Sequence, residues 1–257
     1  MEEKKLQSSY IDLLPINWLN GKAALSVPLH SVHEAQTLWD SFGGVVIPSV
    51  EAASFPDPET LRVQVTEALD VVPVVSIALG NDGDASQWWK ALVASRNLPV
   101  HVNQPAVTAP FALEYLSKQD EPILVNGIVE PTDRKDIVRV AVSSTRITIE
   151  TEIGRVLDLF RENGIRSLKL HPIRGIPYDI LSDIGKLCSQ AGIEIIEPAG
   201  GLNQANFAGV MQSLLSSGIS RVFPHVFSAV ENKERTSLDL ASVAWFLSQL
   251  NTIVSGT

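Results

Sequence analysis

The sequence is short of cysteine, of charge and of long apolar runs, and each shortage removes a class of function. A single cysteine, Cys188, stands among 257 residues. One cysteine cannot build an intrachain disulfide framework and leaves too few thiolates for a structural zinc centre. Cys188 falls on the apolar side of a predicted helix and reads as core. Charged residues make up 19% of the chain, which leaves no charge-rich disordered tract. The net charge is −9, and basic residues never cluster beyond two or three, so nucleic acid and anionic membrane are not expected as partners. No stretch approaches the roughly 20 apolar residues that a membrane span needs. The opening MEEKKLQSSY has no apolar segment behind it, unlike a secretory leader, so the cytoplasm is the expected location. Also missing are the GxSxG elbow of serine hydrolases, the GxxxxGK[ST] phosphate loop, the GxGxxG dinucleotide turn and any HExxH pair.

Apolar residues are plentiful, at 45%, enough for a large core. The C-terminal half shows how they are arranged. Ser167–Leu170 reads as a short strand. Ile180, Leu181, Ile184, Leu187 and Cys188 then recur at helical spacing. Glu194-Ile195-Ile196 is a second strand, followed by a helix face of Phe207, Val210, Met211, Leu214 and Leu215. Arg221-Val222-Phe223 is a third. Gly164-Ile165, Gly192-Ile193 and Gly218-Ile219 each end a helix and lead into a strand, 28 and then 26 residues apart. That is the size of one βα unit. The N-terminal half keeps the rhythm, with strands predicted at 24–27, 45–47, 74–78, 100–102 and 123–125. Helical patterns lie near 32–42, 57–69, 85–96 and 106–118. The Trp88-Trp89 pair falls on one of them and reads as core or an oligomer contact.

Eight strands alternating with helices in a chain of this length predict one α/β domain over residues 1–257, a (β/α)8 TIM barrel. The structural alternative is a doubly wound open sheet. Its first βα turn is usually glycine-rich, whereas this one reads Val27-Pro28-Leu29-His30-Ser31. The stretch near 129–148 breaks the rhythm with Pro131, Thr132 and Asp133 and then an alternating Ile137–Val142. It is expected to be an insertion after strand five, a hairpin or extra strand, serving as lid, subunit contact or decoration.

In this fold the chemistry sits at the C-terminal ends of the strands. The polar residues there are Asn103 and Gln104 after strand four, with His101 inside it, and Asn126 and Gly127 after strand five. Strand six ends in Lys169-Leu170-His171-Pro172, strand seven in Glu197-Pro198-Ala199-Gly200-Gly201, and strand eight in Pro224-His225-Val226-Phe227-Ser228. Lys169 has apolar neighbours on both sides. Burial disfavours its charge, and a neutral amine is the nucleophile of Schiff-base chemistry. Equally, Lys169 could be a structural cation paired with Glu197 on the next strand. Gly200-Gly201 precedes a helix expected to begin near Asn203, an arrangement suited to an anion. Ser228 adds a hydroxyl. His101, His171, His225 and Glu197 form an alternative, metal-binding set.

Taken together and in order, these motifs resemble a known family. Lys169-Leu170-His171-Pro172 followed by Glu197-Pro198-Ala199-Gly200-Gly201 is similar to the class I 2-keto-3-deoxy-6-phosphogluconate aldolases. Their pattern is lysine-x-Phe-Pro on strand six and Pro-Thr-Gly-Gly on strand seven. The closer resemblance is to the bacterial KDGP aldolase family, associated with breakdown of glucosaminate and similar sugar acids. It extends to His101-Val102-Asn103-Gln104, Val125-Asn126-Gly127, Pro131-Thr132 and Pro224-His225 with Ser228, and covers roughly residues 97 to 240. The chain departs from the pattern at His171, Ala199 and Arg174, which stand in place of phenylalanine, threonine and glycine.

The resemblance implies a metal-free lyase that needs no cofactor and forms its Schiff base on Lys169. It implies Gly200, Gly201 and Ser228 around a substrate phosphate, and pyruvate and glyceraldehyde 3-phosphate as products. On that reading Asn103 and Asn126 orient substrate oxygens, while His171, Arg174 and His225 also face the substrate. Glu197 moves protons, with Glu51 after strand two as the other candidate. The partner is a small phosphorylated 2-oxo acid, and a homo-oligomer is expected. The competing readings are a metal-dependent lyase or isomerase on the same barrel, and a non-catalytic barrel.

Overall fold

The computed structural model describes residues 14–142 and 147–256. The opening MEEKKLQSSY and residues 143–146 of the expected insertion lie outside the described residues. The first half of the chain runs β1 (Leu25–Pro28), α1 (Val32–Phe42), β2 (Val46–Glu51), α2 (Pro58–Leu69), β3 (Val75–Ala78), α3 (Trp88–Ala94), β4 (Val100–Pro105), α4 (Ala109–Leu116) and β5 (Ile123–Pro131). It continues through β6 (Ile137–Ala141), β7 (Thr148–Glu152), α5 (Ile153–Asn163), β8 (Ser167–Leu170), α6 (Tyr178–Gln190), β9 (Ile195–Pro198), α7 (Phe207–Leu215), β10 (Arg221–Val222) and α8 (Leu240–Ser255).

The parallel strands pair in the order β1-β2-β3-β4-β5-β8-β9-β10. The ring closes where Ala23 bridges Val222 and Ser26 bridges His225. At that seam Ser26 donates its amide to the Pro224 carbonyl at 2.9 Å, and Val226 donates to the Ser26 carbonyl at 3.1 Å. The fold is a (β/α)8 barrel, as the strand-helix rhythm predicts. Off the ring, β6 pairs antiparallel with the far end of β5, and β7 pairs with β6. The rhythm therefore breaks where β5 extends into an antiparallel hairpin beside the barrel mouth.

Local chemistry sets the helix ends. Ser31 caps α1 by accepting the Glu34 amide, and Gly43 closes it in the left-handed region. Asp57 caps α2, with Pro58 in its first turn. Gly164 ends α5 at φ 78°. Between helices and strands lies the main core, which includes Leu38, Leu61, Leu116, Phe160, Leu181, Phe207 and Phe246. Phe207 and Phe246 meet edge to face at 4.9 Å. Cys188 is buried within this layer. Trp88 packs against Phe111 at 6.3 Å, while its neighbour Trp89 is half exposed.

Inside the barrel a second apolar cluster joins Leu14, Ile16, Ala24, Ile47, Val74, Leu124, Ile195 and Phe223. Ala24, Ile47, Val74, Leu124 and Ile195 stand at or next to the beginnings of their strands, and Leu14 and Ile16 from the segment before β1 pack with them, so the cluster plugs the N-terminal end. Above them the interior turns polar. Ser26, Ser49, Ser76, His101, Asn103, Asn126, Ser167, Lys169, Glu197 and His225 are all buried. An ionised group at such depth is tolerated only with a full set of partners. The layer around Glu197 and Lys169 is accordingly closely hydrogen-bonded, while the Ser26 and Ser49 hydroxyls have no partner among the described residues.

Candidate active site

Strand lengths decide which residues reach the barrel mouth. β4 and β5 run to Pro105 and Pro131, longer than the sequence suggests. Asn103, Gln104, Asn126 and Gly127 therefore lie within strands, not in the loops after them. Asn103 and Asn126 point inward and are fully buried. Gly127 faces the other way: a Cβ there would sit 2.0 Å from Cζ of Phe160, so this glycine makes room for the α5 ring.

Glu197 is the centre of the buried network. One carboxylate oxygen accepts from His101 Nε2 at 3.0 Å and from Ser167 Oγ at 2.5 Å. The other accepts from Asn126 Nδ2 at 2.7 Å and from His225 Nε2 at 2.9 Å. Four donors occupy its lone-pair directions. Burial alone would push this carboxyl up, but the two histidines and their hydrogen bonds hold it well below its ordinary value. Behind the network, His101 Nδ1 is bonded to Ser76 Oγ at 2.9 Å, and Asn103 Nδ2 donates to the Ile77 carbonyl at 2.9 Å.

Lys169 stands opposite Glu197 in the register of β8 and β9. Its Nζ nevertheless bonds elsewhere. It donates to Asn103 Oδ1 at 2.7 Å and to His225 Nδ1 at 3.2 Å. Among the described residues no carboxylate lies within ion-pair distance of it. The structural pairing with Glu197 that the sequence left open is thus not made as a direct contact. Burial lowers the Lys169 pKa to about 8, against the weaker opposing charges of Glu197 and Glu51. Burial and the Lys169 charge bring His225 down to about 3. Burial, again with Lys169, brings His171 to about 4.

Above this network opens a cavity of about 830 Å³. Of the residues singled out in the sequence, Lys169, His171, Arg174, Gly200, Gly201, His225, Ser228 and Glu51 line it. Asn103, Asn126 and Glu197 do not; they lie one layer beneath. The pKa of Glu51 is raised, first by burial and then by Glu231. His30, Ser49, Glu231, Arg235 and Thr236 also line the cavity and were not singled out. They carry no motif. The signal that would have found His30 is its place in the loop after the first strand.

The glycine pair behaves differently from an open loop before a helix. Asn203–Asn206 form a turn in which Asn203 Oδ1 accepts the Ala205 amide at 2.9 Å, so α7 begins only at Phe207. Gly200 and Gly201 have φ of 72° and 111°. Added Cβ atoms would meet Pro172 Cβ and Arg174 Cβ, each at 2.8 Å. The pair thus lets the loops after β8 and β9 lie against each other, a fit that any side chain would break. Gly200, Gly201 and Leu202 line the cavity, and their amides make no hydrogen bond among the described residues. Arg174 stands exposed at the same rim.

The hairpin β6–β7 borders a smaller cavity of about 230 Å³, which shares His171 and Asp82 with the larger one. Among the described residues, no three His, Cys, Asp or Glu side chains form a grouping that could hold a metal ion. None of the described helices is long and apolar enough to cross a membrane.

Comparison with known proteins gives three findings. A family model described as KDGP aldolase matches residues 19–234. A relative from Salmonella typhimurium strain 14028s, named 2-dehydro-3-deoxy-phosphogluconate aldolase, is 28% identical over 227 residues, 84% of this chain and 89% of its own. Among solved structures, the carboxyl transferase domain of Rhizobium etli pyruvate carboxylase superposes with a TM-score of 0.58 at 10% identity. That match covers 91% of this chain, and the chain spans about half (48%) of that protein's length. Phosphoribosylanthranilate isomerase from Thermotoga maritima superposes with a TM-score of 0.52 at 13% identity, covering 90% of this chain and 99% of its own. At such identities the structural matches speak for the barrel alone.

Proposed function

The chain belongs to the KDGP aldolase family, and from that premise we propose that it is a class I aldolase, cleaving a phosphorylated 2-keto-3-deoxy sugar acid to pyruvate and glyceraldehyde 3-phosphate through a Schiff base on Lys169. The observation that carries this reading is Lys169 itself. It is buried and lines the cavity, its pKa is lowered to about 8, and its amine is held by Asn103 and His225, with no carboxylate among the described residues within ion-pair distance. Such an amine is neutral often enough near neutral pH to attack a ketone.

The steps follow from the side chains present. The Lys169 amine adds to the C2 carbonyl, and loss of water leaves an iminium. That cation takes up the electron pair as the C3–C4 bond breaks, after the C4 hydroxyl has given up its proton. Glu51 is a carboxylate at the cavity wall, as is Glu231, and its raised pKa suits it to take that proton and return it to C3 of the enamine; water then adds to the iminium carbon, releasing pyruvate and the free lysine amine. Glu197, saturated and out of reach of the cavity, acts from beneath. Asn103 and Asn126 likewise hold the lysine and the carboxylate in place. The free amides of Gly200, Gly201 and Leu202, with Ser228 and Arg174, suit the substrate phosphate.

Reduction with borohydride in the presence of pyruvate tests the reading. An adduct on Lys169, absent from Lys169→Ala, is expected. A wild-type protein without adduct, or full aldolase activity in Lys169→Ala, overturns it.

A further inference from the structure

We propose that His225 is a positioning residue for the nucleophile: a neutral imidazole, fixed by Glu197 in the tautomer that aims its bare Nδ1 at Lys169, which with Asn103 takes up two directions around the lysine nitrogen and leaves the third facing the cavity. This inference rests on the Schiff-base reading and concerns how the amine is aimed.

The geometry forces the tautomer. A carboxylate can only accept, so His225 Nε2, 2.9 Å from Glu197 Oε2, must carry a hydrogen. A neutral ring with hydrogen on Nε2 has a lone pair on Nδ1, and that atom lies 3.2 Å from Lys169 Nζ. The second acceptor, Asn103 Oδ1, is 2.7 Å away and is itself held by Asn126 Nδ2 at 3.0 Å. A tetrahedral nitrogen with two directions taken presents its remaining valence, a lone pair once deprotonated, to the open side. Lys169 lines the cavity there.

The titratable groups around His225 are Lys169 from β8, Glu197 from β9 and His101 from β4, whose ring centre lies 6.1 Å away. Phe223 and Phe227 also stand beside its ring, with ring centres at 5.2 and 5.6 Å. Direct contact with a carboxylate would orient the amine but keep it protonated. An imidazole placed between carboxylate and amine orients it without that penalty.

Two substitutions separate the two ends of the ring. Asparagine places an amide oxygen near the position of Nδ1 and loses the partner of Glu197. Glutamine places an amide near the position of Nε2, keeps a donor for Glu197 and leaves Lys169 without its acceptor. The measurement is the rate of pyruvate-dependent reductive trapping, read as intact mass across a pH series. His225→Asn is expected to trap within severalfold of wild type. His225→Gln should trap about a hundredfold more slowly at every pH, because a misdirected amine is not recovered by deprotonation. The reverse order, or equal loss in both variants, overturns the proposal. Wild-type trapping in His225→Gln overturns it as well. Failure of the Schiff-base reading itself looks different: no adduct on Lys169 in any protein, wild type included.

Discussion

The amine at Lys169 makes the sharpest quantitative prediction. An ordinary lysine titrates near 10.5, and here burial brings the value to about 8. At pH 7 a group titrating at 8 is neutral about one time in ten; at 10.5 the fraction is about three in ten thousand. Burial therefore supplies roughly three hundred times more neutral amine, equivalent to about 3 kcal/mol. The perturbation is pH itself. Mixing the protein with pyruvate and cyanoborohydride between about pH 6 and 10 and following adduct mass gives a trapping rate at each point. The rate should climb about tenfold per pH unit and level off near 8. Stability must follow the same group. Between about 8 and 10.5 the unfolded chain holds a proton that the folded chain has lost, so stability rises with pH through that window, by up to about 3 kcal/mol from this lysine. Urea midpoints at its two ends measure the rise. A trapping rate still climbing tenfold per unit above about pH 9.5, with no gain in stability, would refute the claim that burial activates this amine.

Three further outcomes follow from other parts of the site. His171 and His225 titrate at about 4 and about 3 when folded against 6.5 when unfolded, so acid favours the unfolded chain below 6.5; together they should remove roughly 4 kcal/mol by pH 5, and an unchanged urea midpoint between pH 7.5 and 5 would contradict their burial as neutral rings. Gly201→Ala forces a Cβ to within 2.8 Å of Arg174 Cβ at φ 111°, so it should cost about 1–3 kcal/mol in thermal unfolding and raise the substrate KM; wild-type behaviour in both would show that the two loops do not lean on each other. Arg174→Ala, at the exposed rim, should raise KM for the phosphorylated substrate and weaken inhibition by inorganic phosphate while changing kcat little, and a fall in kcat alone would move the phosphate elsewhere.

The sequence exposes the barrel because its periodicity survives without a partner. Gly164, Gly192 and Gly218 follow helices at nearly equal intervals, and a short strand comes after each. It exposes Lys169 for a related reason: an ammonium flanked by leucines has no cheap place in a strand. Depth is what it conceals. Asn103, Gln104 and Asn126 read as loop residues because they are polar, yet they continue strands whose interior is polar at that level. Glu197 reads as the carboxylate next to the lysine, which it is in register. Only the positions of His101, Ser167, Asn126 and His225 reveal that all of its lone pairs are taken. The glycine pair was legible as a place where backbone amides could meet an anion but not as a contact between two loops. That role depends on Pro172 and Arg174, about thirty residues away in the sequence.

The seam of the ring has a consequence for the order in which the protein comes to life. Ser26, in the first strand, bridges His225, just past the last. A growing chain on the ribosome contains Lys169 well before it contains residue 225, and it cannot join its two ends until both exist. Until they meet, the lysine has neither the dry surroundings that withdraw its proton nor the imidazole beside it, and it remains an ordinary ammonium. On the Schiff-base reading, a nascent or torn barrel is therefore chemically quiet. The reactive amine of that reading is a property of the finished circle and not of any segment that contributes to it.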